Sequence, residues 1–177
     1  MSNKEQRSIE QIGEDGEKLF KEWLDKSGLA YLYVKQDPDQ YATLFGNQNV
    51  KRPDFLVLLD SIGLIAVDVK NYQLSQDNCY TLNTEKEIIP ALNFERLLRL
   101  PMWYAYCDEE SESWYWISAL KAISVDVAKK RTKKENGESF LAIKRKEFVE
   151  IKENDDIGLL FAQRIGKTSI ESFVAAT

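Results

Sequence analysis

Apolar residues along the chain recur with two periods. Between Ile9 and Ser27, residues Ile9, Ile12, Leu19, Phe20, Trp23 and Leu24 follow helical spacing, which predicts an amphipathic helix. Ser8 is its expected N-cap, and Gly28 stands where a helix C-cap glycine belongs. Gly13 and Gly16 lie inside this helix, where each costs roughly 1 kcal/mol relative to alanine, so close packing is the expected reason for them. A different pattern follows. Phe55 to Leu59 and Leu64 to Val67 are short, strand-forming runs separated by Asp60-Ser61-Ile62-Gly63, which predicts a β-hairpin. Both runs are almost continuously apolar, as in a sheet covered on both faces. Tyr80 to Asn83, Phe140 to Ile143 and Phe148 to Ile151 read as further strands, and Asp155 or Asp156 as the cap of a last helix through Phe161 to Arg164.

Register turns the hairpin into a geometric statement. Pairing Leu58 with Leu64 leaves a five-residue loop from Leu59 to Gly63 and sets Asp54 directly across from Asp68. Cross-strand Cβ atoms are then about 4.5–5.5 Å apart. Asp68 and Lys70 share one face of their strand because side chains alternate. Two carboxylates this close repel, and one keeps its proton unless a cation intervenes. Mg²⁺, which takes few carboxylates and retains waters, suits such a pair. The structural alternative is a strand edge with a surface ion pair, but a buried strand does not carry Asp and Lys cheaply. Glu14 and Glu17 lie on one side of the first helix, and either can direct a carboxylate at the hairpin. Glu17 is the expected one, from its spacing to Gly13 and Gly28.

Composition narrows the chemistry. The 177 residues contain no histidine, which removes His-dependent hydrolases and His-liganded zinc sites. Cys79 and Cys107 have no metal-ligand spacing, no apolar run is long enough to span a membrane, and the polar start carries no signal peptide, so a reduced, cytoplasmic setting is expected. Net charge is −5. Its distribution is uneven: Lys129, Lys130, Arg131, Lys133 and Lys134 form a basic run followed by Lys144-Arg145-Lys146, whereas acids gather at 108–112 and 153–156. A local basic run holds phosphates despite a negative total, or is simply a solvated loop. The irregular stretch Gln36–Lys51 precedes the hairpin, and its Tyr41 and Phe45 are candidates for stacking on an unpaired base or capping the core.

With these residues in view, the chain resembles the PD-(D/E)xK nuclease superfamily, whose core runs helix, strand, motif hairpin, helix, strand. Gly13-x-x-x-Glu17 with Leu24 and Gly28 looks like the opening helix of resolvase-like members; Ala30 to Val34 is the first strand. Pro53-Asp54 and Asp68-Val69-Lys70 match the signature, with Asp in place of the commoner Glu. Ile88 to Tyr106 supplies the second helix, carrying Asn93, Arg96 and Arg99 toward phosphates or water and Trp103, Tyr104 and Tyr106 toward the core; Trp114 to Ile117 is the next strand. The resemblance covers about 9–118, with 119–177 an elaboration inside one domain, 1–177. It implies an α/β fold with a mixed central sheet flanked by helices. It implies a Mg²⁺-dependent nuclease, Mn²⁺ substituting, with Asp54, Asp68 and the Val69 backbone carbonyl as metal ligands. Lys70 would orient or deprotonate water, its ammonium softened by desolvation, and Glu17 would assist at the metal. DNA is the expected partner, held by the basic run with Arg96 and Arg99; RNA and a homodimer fit the same pattern. The alternative is a nuclease-fold module that binds nucleic acid or a protein without cutting.

Overall fold

The computed structural model describes residues 9–35, 47–71, 74–75, 77–108, 113–124, 126–133 and 137–162. Ser8, Tyr41, Phe45, Lys134, Arg164 and the acids Glu109, Glu110 and Glu112 lie outside them.

The fold is mixed α/β. Helix α1 spans Ile9–Lys26, and strands β1 (Ala30–Tyr33), β2 (Phe55–Leu59) and β3 (Gly63–Lys70) follow it. Strand β4 (Cys79–Asn83) leads through a π-helical turn, Thr84–Ile88, into helix α2 (Ile89–Leu98). Strands β5 (Met102–Asp108) and β6 (Ser113–Ser118), a one-turn helix α3 (Ala119–Ala122), strands β7 (Ala128–Thr132), β8 (Ser139–Lys144) and β9 (Val149–Ile151), and a short helix α4 (Leu159–Ala162) complete the described chain. The central sheet has six strands in the order β1-β2-β3-β5-β6-β9, and β4-β8-β7 form a second, three-stranded sheet. Only β3 and β5 run parallel within the central sheet; its other pairs are antiparallel. The parallel pair requires a long crossover, and β4, the π turn and α2 supply it.

The first helix ends as its sequence predicts. Gly28 adopts φ 66°, and the amides of Gly28 and Leu29 bond back to the carbonyls of Asp25 and Leu24 at 3.2 and 3.1 Å, the paired bonds of a Schellman cap. The two interior glycines differ. A Cβ on Gly16 would lie 2.7 Å from the Cβ of Asn71, whereas nothing lies within 4 Å of one on Gly13, so close packing accounts for Gly16 alone.

The hairpin register is the expected one: Leu58 pairs with Leu64 and Phe55 with Val67. Leu59 and Gly63 pair as well, so the loop is only Asp60-Ser61-Ile62, with Ser61 at φ 61° and Gly63 at φ 119°. Burial on both faces holds for Ile65 to Asp68 but fails at the hairpin end, where Leu58 and Leu64 are exposed, as is Leu32 on the neighbouring β1.

One predicted element changes type. Met102 to Asp108 is the central strand β5, not the end of the second helix. Arg99 turns left-handed at φ 58° to close α2, and Pro101 cannot continue the helix. Trp103, Tyr104 and Tyr106 are buried as expected, but by alternation. Trp103 and Ala105 face the α1 side with Phe20, Trp23 and Trp116; Met102, Tyr104 and Tyr106 face α2 and the small sheet with Phe94, Tyr80 and Ile143. Covering a sheet on both sides makes every residue of such a strand apolar, which erases the period of two.

Candidate active site

Strand alternation places Asp68 and Lys70 on the α2 face, at the end of β3 that leads out to Asn71. Asp54 stands just before β2, opposite Asp68 by extension of the register Phe55↔Val67. All three are buried: Asp54 is 8% exposed, Asp68 3% and Lys70 7%. The Asp54 Oδ2 accepts the Val69 amide at 2.7 Å, so the carboxylate is fixed by the strand that carries the other two groups.

Asp68 is the hub. Its Oδ2 lies 2.8 Å from Lys70 Nζ, and its Oδ1 lies 3.1 Å from Lys51 Nζ. Both ammonium groups also reach Glu87 Oε2, each at 2.8 Å. Asp68 Oδ2 is fully buried, and Lys70 Nζ is the cation against it; a carboxylate oxygen with one such partner can still accept a second.

The charges set one another. Burial, then repulsion from Asp68, pushes the Asp54 carboxyl well above the ordinary carboxylate range. Burial alone would push Asp68 up too, but Lys70 and Lys51 outweigh it and its carboxyl falls below that range. Lys70 corrects the sequence-based expectation. Burial does act to lower its ammonium, but Asp68 and Glu87 outweigh burial and hold it well above the ordinary lysine range. Lys70 is therefore a fixed cation in this arrangement, suited to orienting and steadying negative charge rather than to removing a proton.

Glu17 approaches from α1. Its Oε2 accepts the Tyr33 hydroxyl at 2.8 Å, and its charge is felt at Asp54. Glu14 is exposed, and its charge is felt at Tyr33 as the weakest of the contributions there. Asn71, immediately after Lys70, donates its Nδ2 to the Ile12 carbonyl at 3.0 Å and packs on Gly16. The residue following the motif thus pins the helix that carries Glu17.

Lys51, Glu87 and Tyr33 did not stand out in the sequence. Lys51 was visible only as a cation three residues before Asp54. Glu87 lies in Thr84-Glu85-Lys86-Glu87, which reads as a solvated charge run. A π turn capped by Asn83, whose Oδ1 accepts the amides of Glu85 and Lys86 at 2.9 Å each, aims Glu87 inward. Such turns recur at functional sites.

The expected phosphate contacts are spread out. Lys129, Lys130 and Arg131 lie on β7, an exposed edge strand rather than a loop. Alternation sends Lys129 and Arg131 to one face and Lys130 to the other. Arg131 pairs with Asp77 at 2.9 Å and Lys133 with Glu138 at 3.4 Å. Arg96 and Arg99 are exposed on and just after α2; Arg96 Nη2 donates to Gln48 Oε1 at 3.4 Å. Asn93 instead secures the backbone before the motif, donating Nδ2 to the carbonyls of Gln48 and Asn49 at 3.0 and 3.1 Å. Among the described residues, no group of three Asp, Glu, His or Cys stands in metal-binding geometry, and no helix is long and apolar enough to cross a membrane.

No protein-family model matches the chain, and no curated protein matches it in sequence. Two solved structures align with it. A nuclease from a fusselovirus aligns with a TM-score of 0.50 at 14% identity, covering 83% of this chain and 90% of its own. A bacterial homing endonuclease aligns with a TM-score of 0.41 at 14% identity, covering 85% of this chain and 79% of its own. The first alignment supports the α/β architecture of a mixed six-stranded sheet flanked by helices; at this identity the similarity is one of fold.

Proposed function

We propose that this chain is a divalent-metal-dependent nuclease of the PD-(D/E)xK type, hydrolysing phosphodiester bonds of DNA. The observation that carries the reading is the pair Asp54 and Asp68, buried opposite each other at the end of a hairpin with the Lys70 ammonium 2.8 Å from Asp68. Two features of the pair favour a hard cation, although no ready-made group of three ligands stands there among the described residues. Asp54 is costly to ionise where it stands, and Asp68 Oδ2 is a buried oxygen with unused acceptor capacity. A divalent cation relieves both. Asp54, Asp68 and the Val69 carbonyl would hold Mg²⁺ or Mn²⁺, with Glu17 binding directly or through water. Such an ion acidifies bound water and offsets charge building on the phosphorus oxygens.

The protein's own groups divide the remaining work. Lys70 orients the attacking water and steadies negative charge on the phosphoryl group. The Val69 amide keeps Asp54 in place, and Tyr33 does the same for Glu17. Lys129 and Lys130, with Arg96 and Arg99, contact backbone phosphates and carry no base information; Arg131 and Lys133 reach DNA only by leaving their acid partners. Cutting both strands of a duplex calls for two copies of the chain.

A second reading is favoured by one observation. Lys51 and Lys70 already neutralise Asp68, so the network is electrostatically complete without a metal. That suits a nuclease-fold module that binds without cutting. Melting the protein in millimolar Mg²⁺ or Mn²⁺ separates the two. The metal-dependent reading expects stabilisation by mass action, about 2.7 kcal/mol at a hundredfold excess over the dissociation constant, and its loss in Asp68→Asn. An unchanged melting temperature supports the second reading.

A further inference from the structure

We propose that Lys51 is a second substrate-contacting cation of this site, gripping a non-bridging oxygen of the phosphodiester, and that Glu87 is its positioning residue. The inference rests on the phosphodiester reading and extends it to residues outside the motif.

The position of Lys51 is the first reason. Its side chain is 17% exposed against 8% for Lys70, so Lys51 stands nearer the solvent side of the cluster while sharing both of its acids. Its backbone is anchored as well. The Lys51 amide donates to the Pro90 carbonyl at 2.9 Å, and Asn93 holds the two carbonyls of Gln48 and Asn49. A lysine with a fixed stem can present its ammonium to a ligand with little loss of freedom on binding.

The second reason is charge. Lys70 already pairs with Asp68 and with Glu87. Lys51 adds a second cation on the same two acids, partly withdrawn from water. Ion pairs withdrawn even partly from water are weak evidence for stability, because well-packed apolar residues often do as well. A structural role thus leaves the Lys51–Glu87 pair unexplained, whereas an anion arriving from solvent explains it. Glu87 contacts Lys51 at 2.8 Å, closer than Asp68 does at 3.1 Å. If Asp68 turns to a divalent cation, Glu87 still aims Lys51.

The test uses the full chain, a short DNA duplex and Ca²⁺ in place of Mg²⁺, with binding followed by fluorescence anisotropy across a salt series. Lys51→Met should flatten the log–log salt dependence by about 0.9, the value of one lost phosphate contact. Lys51→Arg should restore the slope, which a purely structural ion pair would not predict. Lys51→Gln serves should the apolar variant not fold. An unaltered slope in Lys51→Met, or in Lys51→Gln where that replaces it, overturns the proposal. If the wild type cuts DNA in Mg²⁺ and the slope is unaltered, this inference fails alone. If the slope flattens but nothing is cut in Mg²⁺, the inference stands and the hydrolytic reading fails. Absence of duplex binding by the wild type overturns both.

Discussion

Gly16 of the first helix and Asn71 of the motif strand's exit are packed so closely that a Cβ on the glycine would lie 2.7 Å from the asparagine Cβ. The contact is with a side-chain root, not a flexible tip, so an added methyl must displace α1 or β3. Glu17 is the next residue, so a displacement of α1 shifts it relative to Asp54.

Gly16→Ala should therefore destabilise the fold by about 1–3 kcal/mol, the usual cost of overpacking. Gly13→Ala meets no neighbour and should be neutral or stabilising, by up to about 1 kcal/mol. Urea unfolding of the two variants checks the pair. Equal midpoints would show that the Gly16–Asn71 contact does not constrain the helix.

Tyr33 and Glu17 give a spectroscopic prediction. The bond to Glu17, then burial, pushes the Tyr33 hydroxyl up to about 12 from 10.0. A proton held more tightly in the folded state stabilises it fully below the ordinary tyrosine value, and this contribution is lost as pH rises from 10.0 toward about 12. Ultraviolet titration of tyrosinate, taken as wild type minus Tyr33→Phe, should show the late ionisation. Glu17→Gln should bring it back toward the ordinary value. A Tyr33 that titrates near 10.0 in the wild type would mean that the bond does not form.

Asp54 works in the same sense, but at lower pH. Its folded carboxyl is raised, by burial and then Asp68, so the native state keeps a proton that the unfolded chain gives up. Stability then falls as pH rises from the ordinary carboxylate range, about 4, through the raised value. Asp54→Asn removes that dependence. Without divalent metal, the melting temperature of the variant relative to wild type should climb as pH rises above the ordinary carboxylate range, about 4. A difference that stays constant as pH rises contradicts the burial argument.

What could be read from the chain follows physical lines. The hairpin was legible because two short apolar runs flank a turn, and because pairing Leu58 with Leu64 aligns both acids; the observed register is the same one. The end of α1 was legible because a glycine is needed where φ turns positive. β5 was hidden, since covering a sheet on both faces leaves Met102 to Cys107 apolar throughout, and the same residues fit a helical count. Only Pro101 betrayed the break. Glu87 was hidden because its direction comes from a π turn, and a run of charges contains no sign of the face each one takes. The protonation of Lys70 was misjudged for a related reason: burial is visible in a strand pattern, but the second acid that offsets it arrives from a distant turn.

A cleavage assay decides whether Asp54, Asp68 and Lys70 hydrolyse phosphodiester bonds with a divalent metal, as proposed. Linear, branched and single-stranded DNA would be incubated with the wild type in Mg²⁺, in Mn²⁺ and in chelator, with Asp68→Asn and Lys70→Met prepared in parallel. The wild type should cut at least one substrate, only in the presence of metal. Each variant should lose about a hundredfold or more, the scale of removing one preorganised charged group. Absence of cutting by the wild type with either metal, or cutting by Asp68→Asn at the wild-type rate, would contradict the metal-dependent reading.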